Sequence, residues 1–132
     1  MKTVLIADDK EAGRELVRTV IENTGYTVVE ACDGPDALRR ARELSPDLII
    51  LDIHMPGLDG FGVITELRRD PKFATTPVMA LTASAMHGDR ERAIQAGFTG
   101  YVTKPIRLAA LRAEVMRLLG EEQPEDQPGK TI

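Results

Sequence analysis

Residues 48–60 read LIILDIHMPGLDG. Four aliphatic residues in succession lead to Asp52, and the turn-forming pair Pro56-Gly57 follows shortly afterwards. An unbroken apolar run of this length is typical of a strand that is covered on both faces, as in a parallel sheet. Because a buried carboxylate is costly without a partner or a metal, Asp52 at the end of this run predicts that other polar groups meet it there.

Similar apolar runs recur along the chain and alternate with helical patterns. Residues 4–7 and 78–81 are short continuous runs, and weaker strand patterns lie at 27–31 and 100–103. After each strand, apolar residues recur at helical spacing with polar residues opposite them. The predicted buried faces of the five helices comprise Leu16, Val17, Val20 and Ile21; Ala37, Leu38, Ala41 and Leu44; Phe61, Ile64 and Leu67; Met86, Ala93 and Ile94; and Leu108, Leu111, Val115 and Leu118.

This alternation predicts the fold. Five strand–helix units in succession are typical of an α/β protein with right-handed crossovers and helices on both faces of one sheet. We therefore predict a five-stranded parallel sheet with the strand order 2-1-3-4-5, the flavodoxin-like arrangement. In sheets of this type, ligands bind beyond the carboxyl ends of the strands.

Length, composition and charge restrict the classes of function. The chain has 132 residues, of which 42% are hydrophobic, and this suits one globular domain. The last twelve residues carry four acids and one base, so most of the net charge of −4 lies there and residues 1–120 are nearly neutral. We interpret residues 1–120 as the domain and 121–132 as a flexible acidic tail. A domain with this balance of charge gives no indication of direct nucleic-acid binding.

The N-terminal sequence and the single cysteine indicate the cellular environment. The start MKTVLIADD introduces acids too early for a signal peptide, and no apolar run has the length of a membrane span. These features predict a soluble cytoplasmic protein without a membrane partner. Cys32 can form no internal disulfide and belongs to no cluster of metal ligands, so we expect it to be a half-buried small hydrophobe.

Polar residues follow four of the five predicted strands at their carboxyl ends. They are Asp8 and Asp9 after the first strand, Asp52 at the third, Thr82 at the fourth and Lys104 at the fifth. Three carboxylates in one cleft repel one another, and a hard divalent cation such as Mg²⁺ or Mn²⁺ would relieve that repulsion. A carboxylate nucleophile, a metal, a lysine and a hydroxyl are the groups needed for phosphoryl transfer onto an aspartate, and Asp52 is the central candidate.

Each of these residues also has a simpler interpretation. Asp8 and Asp9 could cap the following helix, and Asp52 could form a turn. Thr82 could cap a helix, and Lys104 could be an ordinary surface lysine. Because all of them fall at the same edge of the predicted sheet, a common functional site is the better interpretation.

The segments that carry these residues closely resemble the receiver domain of bacterial two-component response regulators, the CheY-like family. They read LIADD, LIILDIHMPGLDG, ALTASA and GYVTKPI, and the resemblance extends from residue 1 to about residue 119. It implies that Asp52 is the phosphoacceptor, that Asp9 is a direct Mg²⁺ ligand and that Asp8 acts mostly through water. It also implies that the backbone carbonyl of His54 is a third protein ligand of the metal.

The resemblance further implies how the phosphoryl group is sensed. Thr82 and Lys104 match the phosphoryl-sensing pair, and Tyr101 matches the aromatic switch residue of the family. His54 and Ser84 occupy positions that vary within the family and tune the lifetime of the phosphate. The domain would catalyse its own phosphorylation and dephosphorylation but would turn over no external metabolite.

The implied partners are proteins. A histidine kinase or a phosphotransfer protein would supply the phosphoryl group. A downstream protein, or a second copy in an activated homodimer, would bind the surface of the fourth helix, fifth strand and fifth helix, roughly residues 86–119. The resemblance also implies a cis peptide bond before Pro105. The exposed residues expected on this surface include Arg90, Arg92, Arg107 and Arg112.

Three alternatives to a stand-alone phosphorylated receiver remain. The chain could be a receiver excised from a hybrid histidine kinase or larger regulator, with residues 121–132 as a linker. It could be a receiver that has lost phosphorylation and only binds partners. It could be a haloacid-dehalogenase-type phosphatase, which also forms an aspartyl phosphate, but that family requires a second aspartate where this chain has His54.

Overall fold

The computed structural model describes residues 2–83 and 88–120. Within these ranges five strands alternate with five α-helices, and one 3-10 turn lies at Pro71–Phe73. The strands are β1 (Thr3–Ala7), β2 (Thr27–Ala31), β3 (Leu48–Asp52), β4 (Val78–Thr82) and β5 (Gly100–Thr103). The helices are α1 (Glu11–Asn23), α2 (Gly34–Leu44), α3 (Gly60–Arg69), α4 (Asp89–Ala96) and α5 (Leu108–Leu118). None of these helices combines the length and apolar character needed to cross a membrane.

The five strands form one parallel sheet. Its order is β2-β1-β3-β4-β5, which confirms the prediction from the alternating pattern. Every residue of β3 and β4 is buried, because both strands lie inside the sheet and helices cover its two faces. Since all strands run in the same direction, their carboxyl ends meet at one edge of the sheet.

The helices divide the hydrophobic core into two layers. On one face, Leu5 and Leu51 belong to the same buried cluster as Ile64 of α3, together with apolar residues of α2 and α4. On the other face, Ile6 and Leu111 belong to a second cluster that joins α1 and α5 to the sheet. The alternation of successive strand residues between these clusters explains why continuous apolar runs were the correct signal for the strands.

Several predicted core residues are exposed. The surfaces of Leu16, Leu44, Ile94 and Leu108 are at least 42% accessible, although their helical spacing placed them on buried faces. Leu44 and Leu108 stand at helix ends, whereas the sequence neighbours Val17 and Ala93 occupy the core positions beside Leu16 and Ile94. Cys32 is exposed rather than half-buried, because it lies just beyond the end of the edge strand β2. Met86 lies outside the described residues.

Arg68, at the end of α3, connects three segments at the amino-terminal edge of the sheet. Its guanidinium donates hydrogen bonds to the carbonyl oxygens of Phe73 at 2.6 Å, Thr76 at 2.8 Å and Gly97 at 2.7 Å. Gly97 ends α4 with a left-handed backbone, at φ 114°. These bonds attach the carboxyl-terminal end of α4 to α3 and to the segment that leads into β4.

Candidate phosphoryl-transfer site

Four strand ends bring polar residues to one edge of the sheet. Asp52 and Thr82 are the last residues of β3 and β4, whereas Asp8 and Lys104 directly follow β1 and β5. Strands β4 and β5 are aligned so that Thr82 lies opposite Thr103. The next backbone N–H, that of Lys104, donates to the Thr82 carbonyl oxygen at 2.7 Å. The fold therefore brings the predicted site residues together.

Asp52 is a buried carboxylate with both oxygens engaged. It is only 3% exposed. Its Oδ1 accepts a hydrogen bond from the backbone N–H of His54 at 2.9 Å, and its Oδ2 accepts one from Lys104 Nζ at 3.0 Å. A buried strand can end on this carboxylate because Lys104 and the His54 backbone supply its partners.

Lys104 is the cation of the site. Its Nζ also lies 3.5 Å from Asp8 Oδ2, so it faces two carboxylates. Burial by itself would lower the pKa of Lys104, but the hydrogen bond and the charge of Asp52, together with the charge of Asp8, raise that pKa above its usual value. The ammonium group therefore stays charged at neutral pH. The Lys104–Pro105 peptide bond is cis, as the resemblance implied.

Three acids form a tight cluster around this position. Asp8, Asp9 and Asp52 each offer a carboxylate oxygen, and these oxygens lie within 4.8 Å of one another. Burial, together with the negative charge of Asp52, raises the pKa of Asp8. Asp8 Oδ2 and Asp9 Oδ1 are buried and take part in no hydrogen bond with the described residues. Clustered, buried carboxylate oxygens that lack a hydrogen bond are suitable ligands for a hard divalent cation.

The helix beside the cluster packs closely against the Asp8 carboxylate. Gly13 of α1 faces Asp8, and a Cβ at this position would lie 2.5 Å from Asp8 Oδ2. Any larger residue would therefore press on the oxygen that lacks a hydrogen bond. Gly13 therefore lets the Asp8 carboxylate keep its place in an acidic cluster that fits Mg²⁺, which binds through one or two carboxylates and retains several waters.

The loop after Asp52 folds back onto the end of β3. The Gly60 N–H donates to the Ile53 carbonyl oxygen at 3.0 Å, and a Cβ on Gly60 would lie 2.8 Å from Ile53 Cα. Asp59 caps α3, because its side chain accepts a hydrogen bond from a backbone N–H in the first turn of that helix. These contacts fix the loop beside the Asp52 carboxylate.

The two residues expected to sense the phosphoryl group, Thr82 and Tyr101, differ in how deeply they are buried. Thr82 is 2% exposed at the edge where the acids meet. Tyr101 is half-buried on β5, where it packs against the core cluster that includes residues of α3 and α4. The backbone N–H of Tyr101 donates to Glu114 Oε2 at 3.3 Å. Ser84 lies outside the described residues.

Two charged residues near the site were not predicted from the sequence. Arg14 Nη1 donates to the backbone carbonyl oxygen of Asp8 at 2.8 Å, and Arg14 Nε donates to Glu30 Oε1 at 3.1 Å. One signal was available, because Glu30 is the only charged residue of the strand TVVEA. A carboxylate in a strand indicates a specific partner, but the sequence does not reveal which helix supplies it.

Asparagine in place of Asp8 is expected to stabilise the protein in EDTA. The substitution removes a buried charge that Asp52 repels, and it keeps an oxygen for the hydrogen bond from the Lys10 N–H. We expect the free energy of unfolding at pH 7 to rise by about 1 kcal/mol, the usual scale of a single substitution. Urea unfolding measures the change. Asp33→Asn is the control, because it alters a helix cap away from the cluster and should leave the free energy of unfolding nearly unchanged. An Asp8→Asn protein less stable than wild type would contradict the prediction.

The sequence of this chain is similar to those of known response regulators. A family model described as the response regulator receiver domain matches residues 4–116. The polar-differentiation response regulator DivK of Brucella anthropi is 39% identical over 120 residues, which cover 91% of this chain and 98% of that protein.

Solved structures show the same similarity. The chemotaxis protein CheY4 of Vibrio cholerae matches with a TM-score of 0.84 at 30% identity, over 89% of this chain and 98% of that one. The receiver domain of a sensor histidine kinase from Pseudomonas aeruginosa matches with a TM-score of 0.83 at 32% identity, over 91% of this chain and 98% of that one. That structure contains a magnesium ion coordinated in its active-site cleft.

Proposed function

Since this chain belongs to the family of response regulator receiver domains of two-component signalling, we propose that it accepts a phosphoryl group at Asp52 and thereby switches a protein-binding surface. The observation that carries the proposal is the 3.0 Å bond between Asp52 and Lys104 beside the buried acidic cluster. Isolated helix caps or surface ion pairs would not gather three acids and a lysine at one sheet edge. Membership of this family also sets aside the haloacid-dehalogenase alternative.

The proposal assigns Mg²⁺, or Mn²⁺, to the acidic cluster. Asp9 and Asp52 would hold it through their carboxylates, Asp8 mostly through water, and His54 through its backbone carbonyl. The bound ion would supply the positive charge that offsets both the three acids and an incoming phosphoryl group. The buried oxygens of Asp8 and Asp9 that lack hydrogen bonds support this assignment, as does the magnesium ion in the Pseudomonas receiver domain.

The proposed reaction at Asp52 is a nucleophilic displacement at phosphorus. One carboxylate oxygen attacks the phosphohistidine of a histidine kinase or phosphotransfer protein. The bond from phosphorus to the imidazole nitrogen breaks as the new bond to oxygen forms, and the released imidazole takes up a proton. Lys104 is placed to exchange its hydrogen bond to Asp52 for a hydrogen bond to a phosphoryl oxygen. The domain then hydrolyses its own acyl phosphate and acts on no external metabolite.

We place the output surface on α4, β5 and α5. A groove of about 450 Å³ there is lined by residues that include Arg90, Tyr101 and Arg107. Lys104 lines the same groove, so one residue borders both the proposed phosphorylation site and the proposed output surface. A change in the partners of Lys104 would therefore act at a residue of this groove, where a downstream protein or a second copy of the chain would bind.

The four arginines expected on this surface are exposed, but they do not share one groove. The Arg92 guanidinium lies 4.5 Å from the centre of the Phe61 ring of α3. Arg112 lines a different groove, between α1 and α5, together with Val20 and Met116. Arg112 therefore lies on the side of α5 that faces α1, away from the groove of Arg90 and Arg107, and its place in the output surface stays a prediction. Arg90 and Arg107 are the arginines that line the proposed output groove.

Alanine at position 82 should separate phosphorylation from its readout. Thr82→Ala removes the hydroxyl that would bind a phosphoryl oxygen but leaves Asp52, Lys104 and the acids in place. We expect the variant to accept phosphate and to lose most of the change in hydrogen-exchange protection across residues 88–120. A shift of a few kcal/mol is enough to repopulate two such states. Hydrogen exchange with and without beryllofluoride measures the difference.

Thr82→Ser is the matched control for this experiment. It keeps the hydroxyl, so it should retain the protection change of the wild type. If the alanine and serine variants respond equally, Thr82 is not the relay.

The same proposal covers the cellular setting. It places the domain, residues 1–120, in the cytoplasm with a kinase donor, and it assigns His54 and Ser84 to the tuning of phosphate lifetime. His54 is exposed beside Asp52, as that role requires.

A pull-down with and without beryllofluoride tests the switch, because proteins retained only by the activated form would identify downstream partners. Identical sets of retained proteins would contradict it.

A further inference from the structure

Arg14 of α1 connects the acidic cluster to the edge of the sheet. Its side chain is only 17% exposed. One nitrogen, Nη1, donates to the Asp8 carbonyl oxygen at 2.8 Å, and Nε donates to Glu30 Oε1 at 3.1 Å. A planar guanidinium can satisfy both acceptors at once and holds its geometry better than an ammonium group does.

Glu30 is itself held in place from two sides. It lies in the edge strand β2, opposite Ile6 of β1. Its second oxygen accepts a hydrogen bond from Arg18 at 2.6 Å, so both arginines of α1 contact the same carboxylate. Burial tends to raise the pKa of Glu30, but the hydrogen bonds from Arg18 and Arg14 outweigh burial and lower it. Glu30 therefore remains charged and keeps Arg14 in a single orientation.

The contact with Arg14 completes the fixation of Asp8. The Asp8 N–H donates to the Ala31 carbonyl oxygen at 3.2 Å, and Asp8 Oδ1 accepts from the Lys10 N–H at 2.9 Å. With its carbonyl held by Arg14, Asp8 has one oxygen, Oδ2, that accepts no hydrogen bond, although Lys104 Nζ lies 3.5 Å from it. Asp9 follows on the same peptide, so the Asp8 carbonyl determines the direction in which Asp9 leaves the strand.

We propose that Arg14, oriented by Glu30, is a positioning residue that aims the carboxylates of Asp8 and Asp9 at the divalent cation. The inference rests on the proposed function, because it assumes that this cluster binds a metal. Arg14 touches neither the metal nor the phosphoryl group. It acts through the backbone of Asp8.

The direction of the effect distinguishes positioning from simple electrostatics. Arg14 is a positive charge near an anionic site, so its removal should by Coulomb's law make the site more attractive to a cation. Positioning has the opposite consequence, because freed carboxylates lose their alignment. Substitutions of the groups that orient metal ligands typically weaken metal binding by about 10- to 100-fold.

The experiment compares Arg14→Gln with Arg18→Gln. Both variants remove one positive charge and one hydrogen bond to Glu30, but only the first removes the contact with Asp8. Titration with Mn²⁺, followed by the electron paramagnetic resonance of the free ion, reports binding without phosphorylation. We expect Arg14→Gln to bind Mn²⁺ about tenfold more weakly and Arg18→Gln to stay within about twofold of wild type.

Two further variants keep the test decisive. Arg14→Lys retains the charge but cannot reach both acceptors through a fork, so its affinity should lie between wild type and Arg14→Gln. Glu30→Gln leaves Arg14 in place with a weaker anchor and should reduce affinity about threefold, a fraction of the effect of losing the contact itself. It also replaces Arg14→Gln if that variant fails to fold.

The outcomes separate this inference from the function on which it rests. Unchanged or tighter Mn²⁺ binding by Arg14→Gln would overturn the positioning role and leave the metal site intact. A lower melting temperature with unchanged affinity would assign Arg14 to stability alone and would also overturn it. Absence of Mn²⁺ binding by the wild type would overturn the proposed metal site itself, and the positioning role with it.

Discussion

The Asp52→Asn variant is expected to take up no phosphoryl group from acetyl phosphate, a fall in rate of at least about a hundredfold. Asparagine has the shape of aspartate, but its amide is not a nucleophile toward phosphorus. Among residues 2–83 and 88–120, no other carboxylate contacts Lys104 as closely, since Asp8 lies 3.5 Å from Nζ whereas Asp52 lies at 3.0 Å. Intact-protein mass spectrometry after incubation with the donor and Mg²⁺ measures the uptake.

Asp59→Asn provides the control for this experiment. Asp59 lies in the same loop but serves as the helix cap of α3, and asparagine caps a helix equally well. It should therefore be phosphorylated as wild type is. Labelling of Asp52→Asn at the wild-type level would reject Asp52 as the acceptor, and labelling at a mapped second site would identify the true one.

Removal of the metal should have an effect of similar size. Without a cation, Asp8, Asp9 and Asp52 repel an incoming phosphoryl group, and Lys104 is the cation that faces Asp8 and Asp52 directly. We expect EDTA to lower the phosphorylation rate at least about a hundredfold, consistent with the several kcal/mol that a metal contributes to such reactions. Excess Mg²⁺ or Mn²⁺ should restore the rate, whereas Ca²⁺, with its longer and more flexible coordination, should restore less.

Two alanine variants refine this prediction. Asp9→Ala should abolish metal binding more completely than Asp8→Ala, because Asp9 is the proposed direct ligand and Asp8 the one that acts through water. Equal losses of metal binding in the two variants would contradict this division of roles between Asp9 and Asp8. A phosphorylation rate that EDTA leaves unchanged would exclude the metal from the mechanism altogether.

The positions of Asp52, Thr82 and Lys104 were predictable because topology alone brings them together. Asp52 and Thr82 end strands with clear apolar runs, Lys104 follows the weaker strand pattern of β5, and parallel pairing aligns these ends. No knowledge of side-chain packing was needed. The exact strand bounds mattered little, because an error of one residue leaves the polar group at the same edge.

Arg14 and Glu30 could not be found in this way. Their contact joins a helix face to an edge strand, and it depends on how α1 packs against β2. Helical spacing has a similar limit, since it identified an apolar stripe on α1 but did not show that Leu16 lies at its exposed border. Cys32 illustrates the same point for the sheet, because its exposure follows from the edge position of β2 rather than from its own chemistry.

The Arg68 contacts have a mechanical consequence for signalling. They anchor α4 at Gly97, at the end of the helix that is remote from Asp52, and they also hold the segment that leads into β4. Any displacement of α4 that preserves these bonds is a swing about Gly97, in which the end near Thr82 travels farthest and the anchored end hardly moves. The distance from Gly97 to the moving end is the length of this eight-residue helix, about 12 Å at 1.5 Å per residue. If phosphorylation tilts α4 at this edge, the tilt would become an angular change across the proposed output groove, with the opposite edge of the sheet as its base.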